Sequence, residues 1–302
     1  MTAENPPRRE ALRGHAAMLA FSALVAGSFS LGGQAVVFID PTAINAVRFA
    51  IAAALIGGVI AARGQFRAEQ AASPWRYVVL GGLMALYFVT MFEALRLTTP
   101  VSTAAVFTLT PVISAIAGWV LLRQVTTPAI AAALAIGAAG ALWVIFDADL
   151  DALLGFRIGL GETIFFFGVV GHGIYTPMVR RLNRGEPPLV FTFGVLSACC
   201  VVLLIYGAGE IAATDWQALP PIVWITILYV AIAASATTFF LLQYASLRLP
   251  SAKVMAYTYL TPSWVILWEG VLHRGWSDPA ILPGIGATVM ALALLLRDRD
   301  GA

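Results

Sequence analysis

Charge is scarce in this 302-residue sequence: Asp, Glu, Lys and Arg together make up 11% of it, against about a quarter in soluble domains. So few charges cannot cover a water-facing surface, and 60% of the residues are hydrophobic. Lysine is nearly missing, with Lys253 standing alone, and the net charge is only +2. That argues against a nucleic-acid partner, whose phosphates need clustered basic residues on a solvated face. The two cysteines, Cys199 and Cys200, are neighbours in an apolar run. Their spacing suits neither a structural disulfide nor a metal site, so they read as packing residues. Histidine is equally thin: His15, His172 and His273 are scattered and no His-Glu-x-x-His occurs. No Ser or Cys carries a nucleophile signature. No catalytic residue, no metal and no cofactor is expected, and a membrane-embedded enzyme is a remote alternative.

Long apolar runs are what the sequence has instead. A bilayer core takes about 20 apolar residues per helix, and Gly, Pro and charge clusters divide the chain into ten such stretches: 15–39, 41–62, 75–97, 101–122, 128–146, 158–182, 188–207, 220–247, 252–272 and 279–296. The runs are continuous instead of alternating, which excludes a β-barrel. An all-α integral membrane fold with ten transmembrane helices is therefore expected. The first stretch is too long for the roughly 7–15-residue core of a signal peptide, so it should stay in the mature chain. Basic residues orient the set, because they accumulate in cytoplasmic loops. With both termini inside, Arg8, Arg9, Arg13, Arg63, Arg67, Arg76, Arg123, Arg180, Arg181, Arg184, Arg248, Lys253, Arg297 and Arg299 face the cytoplasm, and only Arg96, Arg157 and Arg274 fall outside. A multi-pass membrane protein follows, with the lipid bilayer as its obligatory partner.

Self-comparison shows a repeat. Leu95-Arg96-Leu97 recurs as Leu247-Arg248-Leu249, Leu109-Thr110-Pro111 as Leu260-Thr261-Pro262, and Pro128-Ala129-Ile130 as Pro279-Ala280-Ile281. The order is kept and the separation is nearly constant at about half the chain. Five helices per copy is an odd number, so the second copy enters the membrane from the opposite side. The expected organisation is a cytoplasmic tail (1–14), a first five-helix repeat (15–146), a periplasmic linker (147–157), a second, inverted repeat (158–296) and a cytoplasmic tail (297–302). Inverted repeats are a recurring carrier architecture, in which two similar halves exchange shapes around a midplane site.

Ten helices as five plus five, Leu-Arg-Leu after the third and eighth, and Thr-Pro inside the fourth and ninth resemble the EamA-like branch of the drug/metabolite transporter superfamily. The resemblance covers residues 15–296, and within the superfamily it is nearest to bacterial aromatic amino-acid exporters of the YddG type. It implies a shared cavity lined by helices one, three, four, six, eight and nine. The expected activity is alternating-access export of small amphipathic metabolites, amino acids with aromatic or large apolar side chains foremost. Sugars, nucleotide sugars or cationic drugs are the alternative cargo, and a channel is the alternative mechanism.

Particular residues could carry such transport. Pro111 and Pro262 lie mid-helix, where proline removes a donor and frees the carbonyl four residues earlier, on Phe107 and Thr258. Helical spacing aligns Lys253, Tyr257, Thr261, Trp264 and Trp268 on one stripe and Thr103, Phe107 and Thr110 on another. Trp268, nearer the boundary, reads as an interfacial residue. His172, flanked by Gly171 and Gly173 and followed by Tyr175, sits mid-membrane, where an ionisable group is costly and a functional candidate by default. A neutral histidine bonded across helices is the plainer reading. Gln34, Tyr87, Met91 and Tyr244 complete the candidate substrate-binding set. Arg48, Glu93, Glu162 and Glu269 also fall in or near spans, and for Arg48 a structural ion pair competes with a substrate contact.

Overall fold

The computed structural model describes residues 8–66, 72–125, 127–154, 158–272 and 274–297. Arg67, Arg157, His273, Arg299 and parts of the expected tails and linker lie outside the described residues. The regular structure of those described is helical, without a strand. In chain order the helices are α1 (Arg8–Ala35), α2 (Pro41–Ala62), α3 (Trp75–Ala94), α4 (Pro100–Phe107), α5 (Thr110–Leu122), α6 (Pro128–Ile145), α7 (Leu150–Leu154), α8 (Leu160–Leu182), α9 (Pro188–Tyr206), α10 (Ala208–Ala213), α11 (Pro221–Ala231), α12 (Thr238–Ser246), α13 (Ser251–Ala256), α14 (Thr261–Val271) and α15 (Leu282–Arg297).

Proline sets many of the starts. It opens α2, α4, α6, α9 and α11, where its missing N–H costs nothing and its fixed φ suits the first turn. Three of these starts are also capped by the preceding side chain: Asp40 accepts from the Thr42 N–H at 2.7 Å, Thr99 from Ser102 at 3.2 Å and Thr127 from Ile130 at 3.2 Å. Arg123 turns left-handed at φ 54° and closes α5.

By length and composition, eight helical segments could cross a membrane: Arg9–Ala35, Pro41–Ala62, Trp75–Ala94, Pro100–Leu122, Pro128–Ile145, Pro188–Tyr206, Pro221–Ser246 and Pro279–Arg297. The expected spans 158–182 and 252–272 are not among the eight. The first coincides with α8, a 23-residue helix made less apolar by Glu162 and His172. The second is divided among α13, a 3-10 turn at Tyr257–Leu260 and α14, each too short alone. Two further breaks fall inside spans. Thr108 and Leu109 interrupt α4 and α5, and a π-helical turn at Ile232–Thr237 separates α11 from α12.

The packing is dense at small residues. α6 crosses α15 where Gly140 meets Gly284, and a Cβ on either would come within 2.6–2.7 Å of the other's carbonyl oxygen. Only glycine permits that approach, the close backbone contact on which membrane helices rely. α3 packs on α8 and α9, while α1 packs on α11, α12 and α14. α4 lies against α14 and α5 against α13. These contacts bury α4, one face of α8 and the middle of α1 in the core. Cys199 and Cys200 are buried and share no disulfide, and the Cys200 thiol faces the Ala46 carbonyl at 4.0 Å.

Candidate functional site

The break between α4 and α5 positions the first functional ring. Pro111 cannot donate to the Phe107 carbonyl, and the hydroxyl of Thr110 donates to that oxygen instead, at 2.5 Å. The carbonyl that the sequence left open is thus answered locally, and the kink points Phe107 into the core, where it is fully buried. Tyr87 comes to it from α3 and His172 from α8. Ring centroids are 5.5 Å apart for Tyr87 and Phe107, 4.5 Å for Tyr87 and His172, and 5.2 Å for Phe107 and His172. Phe165, two turns before His172, lies 5.4 Å from Tyr87, and Phe29 of α1 lies 5.9 Å from Phe107. Tyr175 stacks toward His172 at 6.3 Å and receives a hydrogen bond from Gln243 of α12 at 2.8 Å. Met91, a turn beyond Tyr87, is buried on the same helix.

The cluster is closed and aromatic, yet polar atoms are shut inside it without partners. The Tyr87 hydroxyl, His172 Nδ1 and Gln243 Oε1 make no hydrogen bond, and neither does Gln34 Nε2 near the end of α1. A buried donor or acceptor left unsatisfied costs about 1–3 kcal/mol, so each needs a reason. A polar ligand supplies one.

Three other expected residues engage α1 instead. Tyr257 bonds His15 Nδ1 at 3.2 Å, Trp264 donates to the Ser22 hydroxyl at 3.3 Å, and Tyr244 donates to Glu10 at 3.3 Å. Arg248 joins the last pair, 2.7 Å from Glu10. The second-half residues therefore latch α1, whose Phe29 reaches the Phe107 cluster from its other side. Pro262 opens α14 directly after the 3-10 turn, as Pro111 does after the α4 break. Trp268, expected at the lipid interface, packs edge-on against Tyr229 at 5.6 Å. Sequence reasoning missed Phe29, Phe165, Ser22 and Gln243. Gln243 alone had a visible signal, as the one amide side chain in the stretch 220–247.

The charged residues separate by depth. Glu93 pairs with Arg96 at 3.4 Å and Glu269 with Arg274 at 3.5 Å, both partly exposed. Glu162, nearly buried, accepts the hydroxyls of Thr98 and of Ser102, the latter at 2.7 Å. In the loop after α8, Glu186 meets Arg76 at 2.7 Å. Burial there works against the carboxylate, but the Arg76 hydrogen bond and the Arg184 backbone N–H outweigh it and hold the Glu186 carboxyl below its ordinary value. For Arg48 an ion pair competed with a substrate contact. Among the described residues no carboxylate meets its guanidinium, and its partners are neutral: Ser235 Oγ at 2.5 Å, the Ala234 carbonyl at 2.6 Å and Asn45 Oδ1 at 3.4 Å.

Apolar helices of spanning length that enclose a histidine, a glutamine and an arginine fit a polytopic membrane transport protein. The chain belongs to the EamA-like transporter family, within the drug/metabolite transporter superfamily: the family's model matches residues 12–146 and again 159–297. The uncharacterized transporter YyaM of Bacillus subtilis (strain 168) is 25% identical over 251 residues, 81% of either chain. One solved protein crystal structure shares the fold, with a TM-score of 0.74 over 96% of this chain and 98% of the other at 21% identity.

Proposed function

We propose that this chain exports small amphipathic metabolites, aromatic or large apolar amino acids foremost, across a bacterial inner membrane by alternating access. The observation that carries the proposal is the closed cluster of Tyr87, Phe107 and His172, with its unpartnered Tyr87 hydroxyl and His172 Nδ1. Aromatic faces hold an apolar side chain, and the orphaned polar atoms wait for a ligand's own donors and acceptors.

Ten spans in two inverted halves, 15–146 and 158–296, give that cluster its means of opening. Three observations support the arrangement. The family model matches twice, once per half. Both halves break at a Thr-Pro, after Phe107 and after Leu260. Packing partners also exchange between halves, α3 on α8 answering α12 on α1. In this reading α8 and the α13–α14 segment cross the bilayer as the sixth and ninth spans, and both termini are cytoplasmic.

The test is flux into liposomes holding the purified protein, with labelled aromatic and aliphatic amino acids, sugars and cationic drugs, with and without a pH gradient. Saturable, counter-substrate-stimulated movement of aromatic amino acids is expected. Selective movement of sugars or drugs would replace the substrate class, and non-saturating flux would replace the carrier by a channel.

A further inference from the structure

Arg48 lies seven residues into α2, about 10 Å along the helix from its first residue, and is fully buried. A guanidinium in that position is costly without a counter-charge. Its three hydrogen bonds all go to neutral groups, Ser235 Oγ, the Ala234 carbonyl and Asn45 Oδ1, while an arginine carries five N–H donors. Two of those acceptors belong to the π-helical turn Ile232–Thr237, and π turns inside α-helices are frequent at functional sites. The face of Phe88 covers the guanidinium at 3.9 Å. Phe88 in turn touches Tyr87 at 4.6 Å, and Phe239 of α12 links Phe88 to Tyr175. The unpaired cation is therefore one aromatic ring away from the closed cluster with its orphaned hydroxyl.

We infer that Arg48 is the anion anchor of the transport site and takes the carboxylate of the substrate, whose apolar side chain lies among Tyr87, Phe107 and His172. The inference rests on the transport site proposed above and narrows its cargo to monocarboxylates. The planar fork of donors matches the two oxygens of a carboxylate, a match that lysine's point charge cannot make. Without substrate, the Ala234 carbonyl and Asn45 occupy the fork. A carboxylate replaces them, supplies the missing counter-charge and frees the π turn between α11 and α12. Holding the π turn is the purely structural role for Arg48, and it needs hydrogen bonds but no anion.

The experiment compares wild type, Arg48→Gln, Arg48→Lys and Ser235→Ala in liposomes. Each receives L-tryptophan, its decarboxylated counterpart tryptamine, L-leucine, a sugar and a cationic dye. Wild type is expected to prefer L-tryptophan to tryptamine. Arg48→Gln should lower tryptophan flux at least about tenfold, as expected for losing one partner of a buried charge pair, and leave tryptamine unchanged. Ser235→Ala, which keeps the guanidinium, should keep the preference. If Arg48→Gln fails to insert, Arg48→Lys is the measure: its KM for tryptophan should rise severalfold while that for tryptamine stays constant. An unchanged tryptophan preference in Arg48→Gln, an unchanged KM in Arg48→Lys, or a wild type that moves only the sugar or the dye would overturn the anchor. A wild type that moves leucine and not tryptophan, with leucine flux lost in Arg48→Gln, would uphold the anchor while the aromatic substrate class fails.

Discussion

Arg76 Nη2 lies 2.7 Å from Glu186 Oε1, and the two side chains are only 2% and 8% exposed. Arg76 also donates to the Leu182 carbonyl at 2.6 Å, so one guanidinium ties the start of α3 to the end of α8. Removing one partner of such a pair leaves the other charge buried and costs about 3–5 kcal/mol. Glu186→Gln should therefore lower the Tm of the purified protein clearly, and Glu186→Gln with Arg76→Gln should recover part of the loss. A double variant as unstable as the sum of the singles would show that the pair does not act as one.

The same carboxylate gives a pH dependence of known sign. Its folded value lies below the ordinary one, so the folded state binds its proton less readily than the unfolded chain. Its stabilisation is complete above the unfolded value, about 4.3 for Glu, and is lost as pH falls through the lower folded value. The Tm difference between wild type and Glu186→Gln should be constant near neutrality and shrink below about pH 4. A difference that grows on acidification would contradict the assignment.

The expected topology is checked by fusion. A cytoplasm-active reporter after Ala302 and a periplasm-active one within 147–154 should both give signal. A periplasmic C-terminus would remove both the orientation and the inversion of the halves.

The latch on α1 predicts a transport effect. Trp264→Ala removes the bond to Ser22 and a large ring beside α1, and should lower flux with little change in membrane abundance. Trp119, 63% exposed on α5, is the control, and Trp119→Ala should leave transport unaltered. Equal effects from both substitutions would place Trp264 outside the transport path.

Which features could be anticipated from the residues follows from where the information resides. Helix positions were legible because apolar runs and first-turn prolines are local signals, and eight segments of spanning length fall where the runs do. The break beyond Phe107 was legible because Pro111 is covalently unable to donate. The break at Tyr257–Leu260 was legible in the same way, from Pro262, whereas the π turn at Ile232–Thr237 was not, because no residue type demands it. The spacing that placed Tyr257 and Trp264 on one stripe did not reveal that the stripe meets α1, since the rotation of one helix against another is set by packing. The sequence left Arg48 between an ion pair and a substrate contact, because its partners in the fold, a hydroxyl, an amide and a carbonyl, are chemically ordinary in sequence.

Tyr87→Phe separates a ligand role from a structural one by the sign of two measurements. The Tyr87 hydroxyl is buried and makes no hydrogen bond, while its ring packs on Phe88, Phe107, Phe165 and His172. Phenylalanine keeps every ring contact and deletes only the orphaned group. Since an unsatisfied buried hydroxyl costs about 1 kcal/mol or more, the substrate-free variant should unfold at the same or a higher temperature than wild type. If the hydroxyl serves the substrate, the same variant should bind it more weakly, by roughly five- to tenfold for a hydrogen bond worth about 1 kcal/mol or slightly more. Thermal unfolding without ligand, and the KM for flux in liposomes, measure the two quantities on one preparation. A lower Tm with unchanged KM would make Tyr87 a packing residue, and the polar floor of the site would then have to be sought at His172 and Gln243.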